Sequence, residues 1–311
     1  MIIRPAQDSD IPAIIDLLSA SLGDSLIPKT ESLWKWKHQD NPFGTSPVLL
    51  AEEGSTLVGL RAFLKWEFEA DGKIYFACRA VDTATHPDHQ GKGIFKKLTS
   101  TLLDEVGASG IDFIYNTPNK KSTPGYLKMG WEKWGKLPLK LQFHVGTGNN
   151  QHPLDPAPWS SIAPLVAQLE SPASQNETGA ILKPGYLKWR YLDCPLFPYY
   201  FLTDHNSFLI FYRIKESRLG RELRTCDLFT FPSFGENQKK MLHEQLREAQ
   251  KSSGARFTSS SGLKYPHQNA LNLGTVPILA MGPLVTFRKL QPHLDPKSLP
   301  WQWSLGDLEL F

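Results

Sequence analysis

The sequence predicts an α/β chain of two tandem domains, each a mixed, mostly antiparallel sheet flanked by helices. Three observations carry that expectation. The 311 residues make room for about two domains of ordinary size, and a 41% hydrophobic content can fill a core in each. Apolar residues switch along the chain between strand-like and helix-like periods. A stretch of the first half also recurs in the second. "LWKWKHQDNPFGTSPVLL" (33–50) aligns with "YLKWRYLDCPLFPYYFL" (186–202), with Trp36 on Trp189, Lys37 on Arg190 and Pro42 on Pro195, all at an offset of 153 residues. A period that long in a chain of this length reads as a duplicated domain.

The elements follow in order. Asp8 or Ser9 caps a helix with Ile11, Ile14, Ile15, Leu18 and Leu22 on one face and Pro12 in its tolerant first turn. Residues 48–51 and 57–68 read as strands about the turn EEGS. Asp71-Gly72 is a two-residue hairpin signal leading into the strand 74–85. Ile94, Phe95, Leu98, Leu102, Leu103 and Val106 then form one face of a helix. A short buried strand (111–115), a helical segment (121–129) and closing strands (131–143) complete a first domain over residues 1–143. Residues 144–158 are a Gly/Asn/Pro-rich linker. The second domain, 159–311, repeats the order with a strand at 226–231, a helix at 237–251, a strand at 256–260 and closing strands at 276–288.

Composition narrows the function classes. A net charge of +3 gives no footprint for nucleic acid, and no apolar window is long enough to span a membrane. Cys78, Cys194 and Cys226 are too few and too scattered for a disulfide framework, and the N-terminus lacks a signal-peptide core. A cytoplasmic location is expected. His86 and His89 share a loop with no third ligand nearby, so no metal is expected.

The loop "HPDHQGKGIFKKL" (86–98) joins a strand to a helix. Free N–H groups at a helix start, with the helix dipole behind them, suit an anion. Gly91 and Gly93 allow the backbone to converge on a phosphate. The glycine spacing is neither that of a P-loop nor that of a Rossmann turn.

Gln90-Gly91-Lys92-Gly93-Ile94-Phe95 resembles the Gln/Arg-x-x-Gly-x-Gly/Ala loop of the GNAT superfamily of acetyltransferases. "NKKSTPGYLKMGW" (119–131) is similar to that family's Asn-x-x-(Ala/Ser)-x-x-x-Tyr-x-x-x-Gly-aromatic stretch, with Asn119, Ser122, Tyr126, Gly130 and Trp131 in step. The resemblance covers residues 1–143, and the tandem arrangement resembles the enhanced-intracellular-survival-type acetyltransferases.

It implies acetyl-CoA as acyl donor, a small-molecule amine as acceptor, and direct attack of the amine on the thioester. The pyrophosphate would rest on the N–H groups of Gln90, Gly91, Lys92, Gly93, Ile94 and Phe95. The pantetheine arm would pair with the backbone of Thr83, Ala84 and Thr85, like an added strand. Asn119 would bond the pantetheine or hold the following turn, and Tyr126 matches the general acid that protonates the thiolate. Phe95 departs from the pattern, standing where a small residue is usual.

The base has two candidates. Asp82 shares a face of its strand with Ala84; it takes the amine's proton if that face lines the cleft, and otherwise sits on a solvated sheet face or pairs with Arg79 or Arg61. The resemblance implies the other, the carboxylate of Phe311 at the end of an apolar tail, since some larger relatives use their terminal carboxylate as base. The second half keeps the element order but has "PSFGENQKK" in place of the loop, so one cofactor site per chain is expected. Two alternatives stand beside this reading: an aminoacyl-tRNA-dependent peptidyltransferase of tandem type, which needs no pyrophosphate loop, and a non-catalytic acyl-CoA-binding module.

Overall fold

The computed structural model describes residues 1–23, 27–70, 72–144, 157–171, 179–217, 219–260, 276–278 and 282–308. The first half runs β1 (Ile2–Pro5), α1 (Ile11–Leu22), α2 (Glu31–His38), β2 (Val48–Glu53), β3 (Thr56–Ala70), β4 (Lys73–Thr85), α3 (Ile94–Ala108), β5 (Phe113–Asn116), α4 (Thr123–Lys128), β6 (Glu132–Lys136) and β7 (Leu139–Phe143). The second half runs α5 (Ala163–Leu169), β8 (Gly179–Ala180), α6 (Tyr186–Tyr191), β9 (Tyr200–Thr203), β10 (Phe208–Ser217), β11 (Gly220–Thr230), α7 (Glu236–Ser253), β12 (Phe257–Ser260), β13 (Val276–Ile278), β14 (Leu284–Lys289) and α8 (Leu305–Leu308).

Local sequence explains most of these. α1 buries Ile11, Ile14, Leu17 and Leu18 as one stripe, with Pro12 in its first turn. α2 is capped by Thr30, whose hydroxyl accepts the Leu33 N–H at 3.2 Å. Sequence patterning does not mark α2, because Lys37 and His38 are buried beside Trp34 and Trp36 and break any apolar stripe. α3 lies on β2 and β3 through Ile94, Leu98 and Leu102, facing Leu49, Val58 and Phe63. Gly59 permits that close approach: a Cβ there would stand 2.5 Å from Ile94 Cγ2 and 2.9 Å from Leu98 Cδ1.

Two sheets result. The first has the order β1-β2-β3-β4-β5-β14-β6, with β8 paired to β3. The second has the order β13-β7-β12-β11-β10-β9. The sheets exchange a strand in each direction. β7 leaves the first half and lies between β12 and β13, while β14 returns from the second half to lie between β5 and β6. The division expected at residues 143 and 159 therefore does not separate the sheets. β14, read in the sequence as closing the second domain, closes the first sheet instead. The physical reason is that a short alternating strand pairs with whichever open edge it reaches, and its own pattern does not name that edge.

The duplicated segments meet at the centre. Trp36 and Trp189 stack with ring centroids 4.8 Å apart, and each indole N–H donates to the other residue's carbonyl at 2.8 Å. Trp301 and Trp303 stack on each other at 4.3 Å and join Phe68, Phe113, Tyr115 and Phe287 in the core shared by both sheets. α8 is drawn inside: Arg79 on β4 donates to the carbonyls of Asp307, at 2.9 Å, and Leu308, and Arg190 on α6 donates to the Gly306 carbonyl at 3.3 Å. None of the described helices is long and apolar enough to cross a membrane.

Candidate active site

The site is built on the last third of β4. Parallel pairing between β4 and β5 has its last register partners at Arg79 and Tyr115, while β4 runs on to Thr85. The two strands thus part beyond Arg79. Within that stretch β4 carries a bulge: Arg61 pairs with Thr83 and Ala62 with Val81, which leaves Asp82 unmatched. Asp82 takes φ +30°, a left-handed conformation that strains a residue with a side chain. Such strain persists only where surrounding contacts hold it.

Those contacts come from α2. Asp82 Oδ2 accepts from Lys37 Nζ and from His38 Nε2, both at 2.8 Å. Because an ionised carboxylate only accepts, Asp82 fixes the proton on Nε2, and His38 Nδ1 accepts from the Ser46 hydroxyl at 2.9 Å. Burial opposes the charged form of Asp82. The Lys37 ammonium and the His38 hydrogen bond outweigh it and hold the carboxyl well below the usual carboxylate range. Asp82 is therefore a lasting anion and a weak Brønsted base. Burial draws both Lys37 and His38 below their ordinary values, with Asp82 pulling the other way. His38 is neutral at pH 7.

Two cavities flank this bulge. One, of about 160 Å³, lies between α1 and α2. Ile15, Leu18, Leu22, Ile27, Leu33 and Trp34 make its apolar wall, and Lys29, Lys37 and Asp82 are its charged residues. A dry cavity of about 150 Å³ takes a benzene-sized group, so this one suits a small side chain. The other is an open cleft lined by Thr83, Thr85, His89, Gln90, Gly91, Gly93, Ile94, Phe95 and Lys96. Gly91 and Gly93 sit at φ +77° and +76°, with open space where a Cβ would point. Gly93 is the N-cap of α3, so the helix's first N–H groups open onto this cleft. The loop and the helix start thus fit an anionic phosphate group on backbone donors alone.

The remaining expected residues fall close by. Ala84 packs with the α1 cluster, and the Thr85 carbonyl accepts from Ser21 Oγ at 3.0 Å. Asn119 holds the turn before α4, its Oδ1 accepting from the N–H groups of Lys121 and Ser122 at 2.9 Å. Phe95 turns its ring edge-on to Tyr126, centroids 5.8 Å apart, and so ties the loop to α4. Tyr126 is buried against Trp131, and its hydroxyl accepts from Arg61 Nη1 at 3.0 Å. Neither Arg61 nor Arg79 pairs with Asp82, as the sequence had allowed; Arg61 serves Tyr126, and Arg79 serves α8. Phe311 lies outside the described residues. Sequence reasoning missed Lys29, Lys37 and His38. The signal available for Lys37 was the repeat through Trp36 and Trp189, which aligned it with a second basic residue, Arg190.

Residues 2–134 match the profile of the family described as "Acetyltransferase (GNAT) domain". The matched segment is similar to a GNAT domain and makes up less than half of the chain. It is 32% identical over 116 residues to an L-methionine sulfoximine/L-methionine sulfone acetyltransferase of Salmonella typhimurium, and 31% identical over 116 residues to the L-amino acid N-acyltransferase MnaT of Escherichia coli. Each match covers 35% of this chain and, respectively, 66% and 65% of the relative's length. Among solved structures, a GNAT N-acetyltransferase from Anabaena variabilis superposes with a TM-score of 0.67 at 16% identity, covering 93% of this chain and 73% of that one. Eis1 from Mycobacterium abscessus superposes at 0.58 with 14% identity, over 94% and 74% of the two chains. These likenesses extend the shared fold over both halves. The two curated relatives are an acetyltransferase and an N-acyltransferase, and this chain spans just under two thirds of the length of each.

Proposed function

We propose that the protein is an acetyl-CoA-dependent N-acetyltransferase acting on the primary amine of a small molecule, and that the acceptor is an apolar amino acid. The observation that carries this reading is the placement of two cavities on either side of one bulge. Asp82 lines the pocket, and Thr83 and Thr85 line the loop cleft. The donor's pyrophosphate would rest on the N–H groups of Gln90 to Phe95. Its pantetheine would lie along Thr83, Ala84 and Thr85, where β4 has parted from β5.

The pocket argues for the acceptor's chemistry. Its apolar wall takes a small side chain. Lys37 and Asp82 neutralise one another, which leaves Lys29 as the cation for a carboxylate. Asp82 meets the amine and orients it. The two relatives that act on methionine derivatives and L-amino acids support the same class. The neutral amine then attacks the thioester carbonyl, the C–S bond breaks as the C–N bond forms, and Tyr126 protonates the departing sulfur. The proton on nitrogen needs a base stronger than Asp82. Arg79 holds the Asp307 and Leu308 carbonyls beside β4. A carboxylate at Phe311 is the candidate base, and appending residues after it would then lower kcat.

Titration calorimetry with CoA, then a thiol-release assay over an acceptor panel, tests the proposal. Apolar L-amino acids should outperform the matching amines that lack a carboxylate by about tenfold or more, the worth of one charge-assisted bond. Lys29→Gln should abolish that preference. Equal rates for acids and amines would refute the acceptor class, and absence of CoA binding would refute the whole reading.

A further inference from the structure

Arg61 is the least expected residue near this site. It projects from the middle of β3 and is fully buried, with no exposed surface. A buried guanidinium normally has a carboxylate or several acceptors to satisfy its five N–H donors. Among the described residues, the only side-chain hydrogen bond of Arg61 runs from Nη1 to the Tyr126 hydroxyl, while Nε and Nη2 have no partner. Its surroundings are aromatic. The guanidinium carbon lies 4.7 Å from the Phe63 ring centroid, 5.4 Å from that of Tyr126 and 5.6 Å from that of Phe95. Cation–π attraction in a desolvated site holds the charge there without neutralising it. A full positive charge is thus fixed 3.0 Å from one phenol oxygen.

We propose that Arg61 is a positioning residue for acyl transfer, which orients the Tyr126 hydroxyl and stabilises the phenolate that Tyr126 becomes. The proposal rests on the N-acetyltransferase reading above. Because Nη1 donates to the phenol oxygen, the phenol's own hydrogen must point elsewhere and is free for the leaving group. As the thioester C–S bond breaks, its electron pair stays on sulfur, and the Tyr126 proton passes to that sulfur to give the CoA thiol. The phenolate left behind faces the guanidinium. It regains a proton from the one lost by the acylated nitrogen, so that amine plus thioester yields amide plus thiol with no net change in the enzyme. A charge already in place requires no reorganisation at that moment, which is where such groups contribute most to rate. The same logic accounts for an arginine without a carboxylate partner: a neutralised guanidinium would hold the phenolate less strongly.

Thiol release measured for Arg61→Met, Arg61→Lys, Tyr126→Phe and the double variant Arg61→Met/Tyr126→Phe decides the matter. Removing one preorganised donor to a developing charge costs about 100-fold in kcat. Arg61→Met should show that loss with the KM for acetyl-CoA within about twofold of the parent, and Arg61→Lys should recover part of it. In the Tyr126→Phe background, Arg61→Met should cost nothing more, since the group it serves is gone. The 13Cζ resonance of Tyr126 should move in Arg61→Met and less in Arg61→Lys, a readout that needs no turnover. An unchanged kcat in Arg61→Met, or the same loss with Phe at 126 as with Tyr, would overturn the proposal while leaving the N-acetyltransferase reading intact. A parent enzyme that releases no thiol with any amine would overturn both.

Discussion

Asp82 carries a strained backbone and two hydrogen-bonded partners, and the partners explain how the strain survives. They also set an acid sensitivity. His38 is held below the ordinary imidazole value of about 6.5, first by burial, against the pull of Asp82. The unfolded chain therefore takes up the proton first as pH drops, and stability declines from about 6.5 downward. Asp82 acts in the same direction at lower pH. Its folded carboxyl is held below the ordinary value of about 3.9, despite burial, so its stabilisation is complete above that value and is lost as pH falls toward the folded one. Thermal unfolding should show Tm falling between pH 7 and 5, with a flatter profile in His38→Gln. An equal slope in both proteins would remove His38 from the account.

At the scale of elements, the β3–α3 contact aims the glycine loop that precedes α3. A Cβ at Gly59 would stand too close to the Ile94 and Leu98 methyls, so Gly59→Ala should displace the start of α3. Overpacking of this kind costs about 1–3 kcal/mol. Chemical denaturation should show that loss, and calorimetry should show weaker CoA binding because the N–H groups of residues 93–95 move together with α3. Normal affinity in a destabilised variant would mean that the loop is positioned independently of the helix. Much of this scale was legible in the sequence. The face of α3, the strands 57–68 and 74–85, and the turn between them follow from apolar period and turn residues. The loop and the Asn119–Trp131 stretch stood out through their resemblance to the GNAT motifs, not through their glycines alone. α2 was not, since burying Lys37 and His38 makes sense only once Asp82 stands opposite them. Arg61 was hidden for the same reason: a lone arginine in a strand looks like a surface residue until α4 covers it.

The whole molecule is held together by exchange. β7 and β14 cross between the sheets, Trp36 and Trp189 exchange hydrogen bonds, and α8 is pinned by arginines from both halves. The sequence showed the repeat but not this reciprocity, because strand pattern does not specify which of two equivalent edges a strand will join. Residues 1–143 made alone lack β14 and have no second sheet to receive β7. That fragment should fail to show a cooperative transition by near-ultraviolet circular dichroism, while the full chain unfolds in one step. A fragment that folds alone and binds CoA would contradict the exchanged architecture. Distant pairings of this kind also slow folding, since loop closure precedes the contacts that reward it.

We propose that an acyl thioester and an amine meet at the two cavities beside Asp82, with Tyr126 as the proton donor. The most direct measurement is release of CoA thiol from acetyl-CoA by the full chain, with and without an apolar L-amino acid, compared with Tyr126→Phe. The account predicts amine-dependent release, reduced about 100-fold or more in kcat by loss of the general acid, with CoA binding retained. Release that is independent of the amine, or unchanged in Tyr126→Phe, would contradict it.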